Sequence, residues 1–220
     1  MDWTAVWLTA RLATCTTVIL FILSVPLAYW LVTTTWRGKA FLEAIVALPL
    51  VLPPSVVGFY LLIVTGPHSP VGAWYQALTG KLLPFSFEGI LLASLLFNLP
   101  FAVRPLMAGF AAVDRRLVHI SWTLGRSRLK TFVTVTLPLA IGGVISSIVL
   151  TFAHTLGEFG VVLMVGGNIP GVTRTLSIAI YDNVQALDYS SANQSALLLV
   201  IVAFSILLGT SVFGRRRWPL

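Results

Sequence analysis

The sequence is poor in charge: only 10% of its 220 residues are Asp, Glu, Lys or Arg, against roughly 25% in an average soluble domain. So few charged side chains cannot cover a water-facing surface, and with 57% hydrophobic residues the chain needs a lipid bilayer around it. Its one cysteine, Cys15, lies inside an apolar run. An internal disulfide framework and a Cys-based metal site are thereby excluded, and Cys15 reads as packing filler. Acidic residues number 7 against 14 basic ones, a formal net charge of +7. The cations fall in short clusters between apolar runs rather than on one face of a folded domain, which excludes nucleic-acid binding and makes them topology signals. No GxxxxGK[ST] phosphate loop and no HExxH zinc arrangement occurs. No catalytic, metal or nucleotide site is therefore assigned to this chain.

What the sequence does have is length of apolar run. A helix needs about 20 apolar residues to cross a bilayer core, and five segments reach or approach that: Leu12–Val32, Leu42–Thr65, Ile90–Val113, Leu137–Val165 and Ala196–Phe213. The first follows Met1-Asp2-Trp3 rather than a basic leader and outruns a signal-peptide core, so it is expected to stay in the membrane. The expected fold is all-α and integral to the membrane, a single unit over residues 1–220 with about five transmembrane helices.

Charge between the runs predicts topology. Arg37 and Lys39, then Arg115, Arg116, Arg126, Arg128 and Lys130 in the long connection 114–136, then Arg215, Arg216 and Arg217 form the basic clusters. The connections Gly66–Gly89 and Gly166–Ser195 hold only Lys81 and Arg174 as cations. The positive-inside bias places the basic set in the cytoplasm, with the N-terminus outside and the C-terminus inside. Trp3, Trp7, Trp30, Trp36, Trp74 and Trp218 fall near the span ends, where an indole gains by lying at headgroup level. Five spans do not divide into equal inverted halves and no motif repeats, which disfavours an internally duplicated transporter. A pore would need a second copy or a partner.

Three stretches break the apolar monotony. Pro49, Pro53 and Pro54 stand within six positions of the second span, and each removes a backbone donor, so that helix is expected to bend or unwind. Carbonyls freed in a bilayer must be buried in protein or face a water-filled cavity, and Ser55 and Gly58 allow close helix approach. A pore-lining kink and a packing kink both fit. In the fourth span His154 and Glu158 stand at i, i+4 on one helix face. Ionisable groups at that depth are costly and mark function by default. The alternative is that Glu158 sits near the outer interface, snorkelling, or caps a helix broken between Gly157 and Gly160. Arg104, beside Pro105, either faces a pathway or snorkels to headgroup phosphates, and the second reading is preferred.

The connection 114–136 is the most specific feature. Asp114 can cap a helix, and Leu117, Ile120, Leu124 and Leu129 recur at near-helical spacing, so the loop reads as short amphipathic helices suited to docking on a soluble partner. His119-Ile120-Ser121, Gly125, Val135 and Leu137-Pro138 fall at a spacing that resembles the EAA motif in the cytoplasmic loop of ABC importer permeases. The Glu-Ala-Ala of that motif is His119-Ile120-Ser121 here, which removes an acidic contact to the ATPase. Leu48–Pro54, Leu156-Gly157-Glu158-Phe159-Gly160 and Asn168–Thr175 look like the molybdate branch of the same family, and the resemblance spans nearly the whole chain.

That resemblance implies a type I importer permease fold in a bacterial inner membrane. It also implies a homodimer enclosing one pathway, two cytoplasmic ATP-binding cassette subunits carrying ATP and Mg, and an external binding protein delivering a tetrahedral oxyanion. Coupling then falls on Arg115, Arg116, His119, Leu124, Gly125, Arg126 and Ser127. The pathway falls on Pro49, Pro53, Pro54, Ser55, Gly58, His154, Glu158 and Gly160. Asn168, Pro170, Gly171 and Arg174 would meet the binding protein or attract the anion, although a solvated loop with a structural turn fits the same residues. No cofactor is expected on this chain. A sulfate or thiosulfate permease, an intramembrane enzyme using His154, Glu158 or Arg104, and a structural anchor remain as rivals.

Overall fold

The computed structural model describes the backbone of residues 2–217 and the side chains of residues 2–210; Trp218 lies outside the described residues. In chain order the helices are α1 (Trp3–Thr33), α2 (Lys39–Ala47), α3 (Pro54–Thr65), α4 (Pro70–Thr79), α5 (Phe87–Ala111), α6 (Arg115–Thr123) and α7 (Arg128–Thr131). They continue as α8 (Leu137–Leu139), α9 (Ile141–Gly157), α10 (Gly160–Gly166), α11 (Leu176–Gln185) and α12 (Tyr189–Arg217). Among the described residues, three helices are long and apolar enough to cross a membrane, and up to five spans result if two bent pairs each count as one. The expected all-α membrane fold is what the chain adopts.

Span boundaries differ from the hydropathy reading for local reasons. α1 begins at Trp3 rather than Leu12, because the Asp2 carboxylate caps it by accepting from the Thr4 and Ala5 amides at 3.0 and 3.1 Å. The expected span 42–65 is two helices bent by 109°. Pro53 is extended there, at φ −55° and ψ 139°, and Pro54 opens α3 at the one turn where a missing N–H costs nothing. The expected span 137–165 is likewise interrupted: a 73° bend at Ala140 separates Arg128–Leu139 from α9, and Glu158 and Phe159 leave the helix before α10 resumes. α5 starts at Phe87 and α12 at Tyr189, earlier than the expected 90 and 196. The connections read as loops contain α4 and α11.

α1, α5 and α9 form the centre of the bundle. Two apolar cores stack along it. One, near the 114–136 connection, gathers Ala28 and Leu31 of α1, Val103, Leu106 and Phe110 of α5, and Val144 of α9. The other gathers Leu12, Ile90, Ala93, Val161, Val162 and Ile178. Between them a set of buried polar residues gathers beside the buried Leu20: Thr16, Thr17 and Ser24 on α1, Ser94 and Asn98 on α5, Ser147 and Thr151 on α9. Lipid-embedded helices associate through close backbone approach and interhelical hydrogen bonds rather than by expelling water. α5 and α9 use both, since a Cβ on Gly109 would lie 2.9 Å from the Gly143 Cα, and Ser147 Oγ donates to the Ala102 carbonyl at 2.8 Å.

The connections sort to two ends as the charge pattern predicts. Arg115 Nη2 reaches the Val32 carbonyl at 3.4 Å, which joins the 33–39 and 114–136 connections at one end. At the other, Phe85 N donates to the Val165 carbonyl at 2.9 Å and Leu176 N to Thr9 Oγ1 at 2.7 Å. Trp3, Trp7, Trp30, Trp36 and Trp74 are all exposed near these ends, as an aromatic belt requires.

Candidate functional site

The break between α9 and α10 faces the middle of α5. Asn98 lies about 16 Å along a helix about 37 Å long, so the break sits deep between the two ends. There the Glu158 carboxylate is buried, and its Oε2 accepts from Ser94 Oγ at 2.9 Å and from Asn98 Nδ2 at 2.7 Å. Asn98 Nδ2 also donates to the Ser94 carbonyl at 2.9 Å, while Asn98 Oδ1 meets His154 Nδ1 at 2.7 Å. The His154 ring stacks on Phe101, centroids 3.9 Å apart. Glu158 is therefore neither snorkelling nor at an interface; it follows the last turn of α9 and is tied to α5. Its second oxygen, Oε1, is buried with no partner among the described residues. A buried, half-satisfied carboxylate is expensive and marks a site kept for something other than stability.

A cleft of about 470 Å³ opens on this cluster, lined by Pro54, Phe97, Ala153, His154, Gly157, Glu158, Phe159 and Gly160. Of the pathway candidates, Pro54, His154, Glu158 and Gly160 are thus brought together. Gly58 of α3 lies alongside, buried against α10, where a Cβ would approach the Met164 Cβ to 2.5 Å; a Cβ on Gly160 would stand 2.8 Å from the Pro54 Cβ. The two broken spans therefore pack through their glycines. Pro49, Pro53 and Ser55 do not line the cleft; they form the bend that delivers Pro54 to it. Ser94 and Asn98 were missed by sequence reading. A lone Asn in an apolar run was the available signal, since intramembrane amides are interhelical hydrogen-bonding groups.

At the basic end, the connection 114–136 forms the expected short helices. Asp114 caps α6 through the Arg116 amide at 2.8 Å, and Ser127 caps α7. Between them Gly125 adopts φ +78°. Gly125 N donates to the Trp122 carbonyl and Arg126 N to the Ser121 carbonyl, a Schellman C-cap that turns the chain sharply. The Ser121 hydroxyl pairs with that of Thr131 at 2.9 Å, fastening α6 to α7 at a position where the EAA motif has alanine. Leu124 and Leu129 are 75% and 74% exposed, and Leu117 and Ile120 are exposed beside them. The arginines flank this apolar patch, with Arg126 Nη1 held by Thr134 Oγ1 at 2.9 Å. His119 stands edge-on to Trp122 and, with Arg115, Lys39 and Tyr29, lines a second cleft of about 530 Å³. Arg104 is exposed on α5 and shares a smaller cleft with Glu43.

The segment 168–175 at the opposite end is a self-bonded turn. Arg174 donates from Nε to Asn168 Oδ1 at 2.6 Å and pairs through Nη2 with Asp182 at 3.0 Å. Thr173 Oγ1 donates to the Gly166 carbonyl, and Gly171 takes φ +75°. The Thr4 hydroxyl first, and Arg174 more weakly, hold the Asp2 carboxyl below the usual carboxylate range. Arg174 is therefore committed to neighbouring carboxylates and an amide, and it does not present a free charge; Pro170 and Gly171 are exposed at the tip.

Comparisons with known proteins agree with this architecture. Residues 21–218 match the family model described as binding-protein-dependent transport system inner membrane component. The chain is 46% identical over 217 residues to the molybdenum transport system permease protein ModB of Azotobacter vinelandii, covering 99% of this chain and 95% of that one. It is 38% identical over 184 residues to ModB of Escherichia coli K12, covering 84% and 80%. A bacterial ABC transporter involved in the import of the acidic polysaccharide alginate shares the fold, with a TM-score of 0.79 at 18% identity over 98% of this chain and 79% of that one. The chain belongs to the family of binding-protein-dependent transport system inner membrane components.

Proposed function

We propose that this chain is the permease subunit of an ATP-driven molybdate importer. The carrying observation is the 46% identity over 99% of the chain to a molybdenum transport permease. In this reading two copies enclose the pathway. Two cytoplasmic ATP-binding cassette subunits, holding ATP and Mg, grip the 114–136 connections, and an external binding protein delivers the anion at the 168–175 end. The N-terminus is outside and the C-terminus cytoplasmic, in keeping with the basic clusters. The exposed Leu124 and Leu129 supply the apolar contact to the ATPase, and the surrounding Arg115, Arg116 and Arg126 supply its polar rim. The broken spans at Pro54 and Gly160 supply the moving wall. The permease itself forms no covalent intermediate; hydrolysis belongs to the partner.

Reconstituting the chain with its ATPase and binding protein tests this reading. Molybdate-loaded binding protein is expected to stimulate ATP hydrolysis by about fivefold or more over unloaded protein. Equal stimulation by sulfate-loaded protein would widen the substrate to tetrahedral dianions in general, and no difference between loaded and unloaded protein would reject the reading.

A further inference from the structure

The polar layer fixes a proton. The Ser94 carbonyl oxygen can only accept, and Asn98 Nδ2 lies 2.9 Å from it. Flipping the Asn98 amide would press Oδ1 against that carbonyl, so the orientation holds whatever the charge on Glu158. Oδ1, also only an acceptor, therefore faces His154 Nδ1 at 2.7 Å, and Nδ1 must carry hydrogen in both charge states of the ring. The neutral ring is then left with a bare lone pair on Nε2. Nε2 makes no hydrogen bond among the described residues, and half-buried His154 lines the cleft.

A tetrahedral oxyanion presents acceptor oxygens, and a lone pair facing them repels. The imidazolium instead donates a charge-assisted Nε2–H bond, which is short and about twice as strong as a neutral one. Phe101, stacked on the ring with centroids 3.9 Å apart, holds its plane. We propose that His154 is a direct contact for the translocated oxyanion, and that it binds the anion only after Nε2 takes a proton from water in the cleft. No covalent bond changes, and the proton returns to water when the anion leaves. This assignment rests on the oxyanion-permease reading above.

The other ionisable groups on elements packed around α9 are engaged elsewhere or lie away from the ring. Glu158 joins His154 only through Asn98. On α1, Arg11 lies over Phe87 and Tyr29 packs on Phe110; Cys15 on that helix forms no hydrogen bond with His154 among the described residues. On α11, Asp182 pairs with Arg174 and Tyr181 packs on Phe159. Glu88 and Arg104 of α5, Tyr60 of α3 and Tyr189 of α12 form no hydrogen bond or ring contact with His154 among the described residues.

The test is the initial rate of labelled molybdate uptake by the reconstituted complex at limiting molybdate, from about pH 6 to about pH 9, with ATP hydrolysis followed in parallel. Wild type is expected to lose about tenfold per pH unit along the alkaline limb. His154→Gln keeps an uncharged donor that does not titrate, so its profile flattens there; His154→Phe loses at least tenfold at every pH. The nitrogen-15 shifts of His154 in the wild-type complex at high pH provide a second readout, expected to show hydrogen on Nδ1 and none on Nε2. An alkaline limb unchanged in His154→Gln, or a neutral ring carrying hydrogen on Nε2, would overturn the assignment. No molybdate uptake at any pH by an assembled, hydrolysing wild-type complex would instead reject the permease reading beneath it.

Discussion

Asn98→Leu is expected to lower the thermal unfolding midpoint of the purified chain by about 6–12 °C. Asn98 is fully buried and its amide serves Glu158 and His154 at once. Leucine fills the volume but leaves the Glu158 carboxyl group with only the Ser94 hydroxyl, and leaving a buried polar group without its hydrogen-bond partner costs about 3 kcal/mol. The gain from burying more apolar surface does not offset this, because lipid already solvates apolar groups in the unassembled helices. The double variant Asn98→Leu with Glu158→Leu separates the causes. Removing the charge together with its partner is often neutral or stabilising, so the double variant should recover most of the midpoint while remaining inactive in uptake. A single variant within a degree of wild type would show that Glu158 is not held as described.

Gly125→Val is expected to cut coupled uptake by about 5- to 30-fold while the complex still assembles. No atom stands within 4 Å of a Cβ added there, so the obstacle is the backbone at φ +78° and not a clash. A left-handed conformation costs a residue with a Cβ about 1–2 kcal/mol, which is small beside the packing of α1, α5 and α9 but large for a turn held by two backbone bonds. The turn yields before the fold does, and about 1–2 kcal/mol lowers the ratio of native to alternative turn conformations by about 5- to 30-fold. Leu124 and Arg126 on either side then lose their alignment. Gly125→Asn, which tolerates that region, should keep most activity. Measuring uptake and hydrolysis on the same vesicles distinguishes lost coupling from lost assembly; equal uptake by Val and wild type would remove Gly125 from the coupling mechanism.

Much of this architecture was legible in the sequence because length and charge are linear properties. The long apolar runs became α1, α5 and α12, and the basic 33–39 and 114–136 connections meet at one end; the side chains of Arg215, Arg216 and Arg217 lie outside the described residues. The break at Pro53 was legible too, since a missing N–H and a fixed φ act locally. The break after Gly157 is legible only as an alternative, a helix capped by Glu158 and broken between Gly157 and Gly160, because Gly157, Phe159 and Gly160 barely dent an apolar window and hydropathy carries the span on to Val165. Nor does sequence show pairing at a distance. Arg174 read as a lone cation because Asp182 lies eight positions on, beyond the turn. Glu158 read as either deep or interfacial until Ser94 and Asn98, more than fifty residues away, came to meet it. The amphipathic patch on α6 and α7 was read correctly from spacing, while the Ser121–Thr131 bond that joins the two helices depends on the Gly125 turn.

In the proposed cycle this permease moves molybdate by coupling the 114–136 connection to a partner ATPase. ATP-dependent uptake of molybdate into proteoliposomes holding the chain, its ATPase and its binding protein, with sulfate as competitor, tests it most directly. Accumulation that requires ATP, is resisted weakly by sulfate and falls with Gly125→Val is the predicted result; an active ATPase with no accumulation of either anion would contradict it.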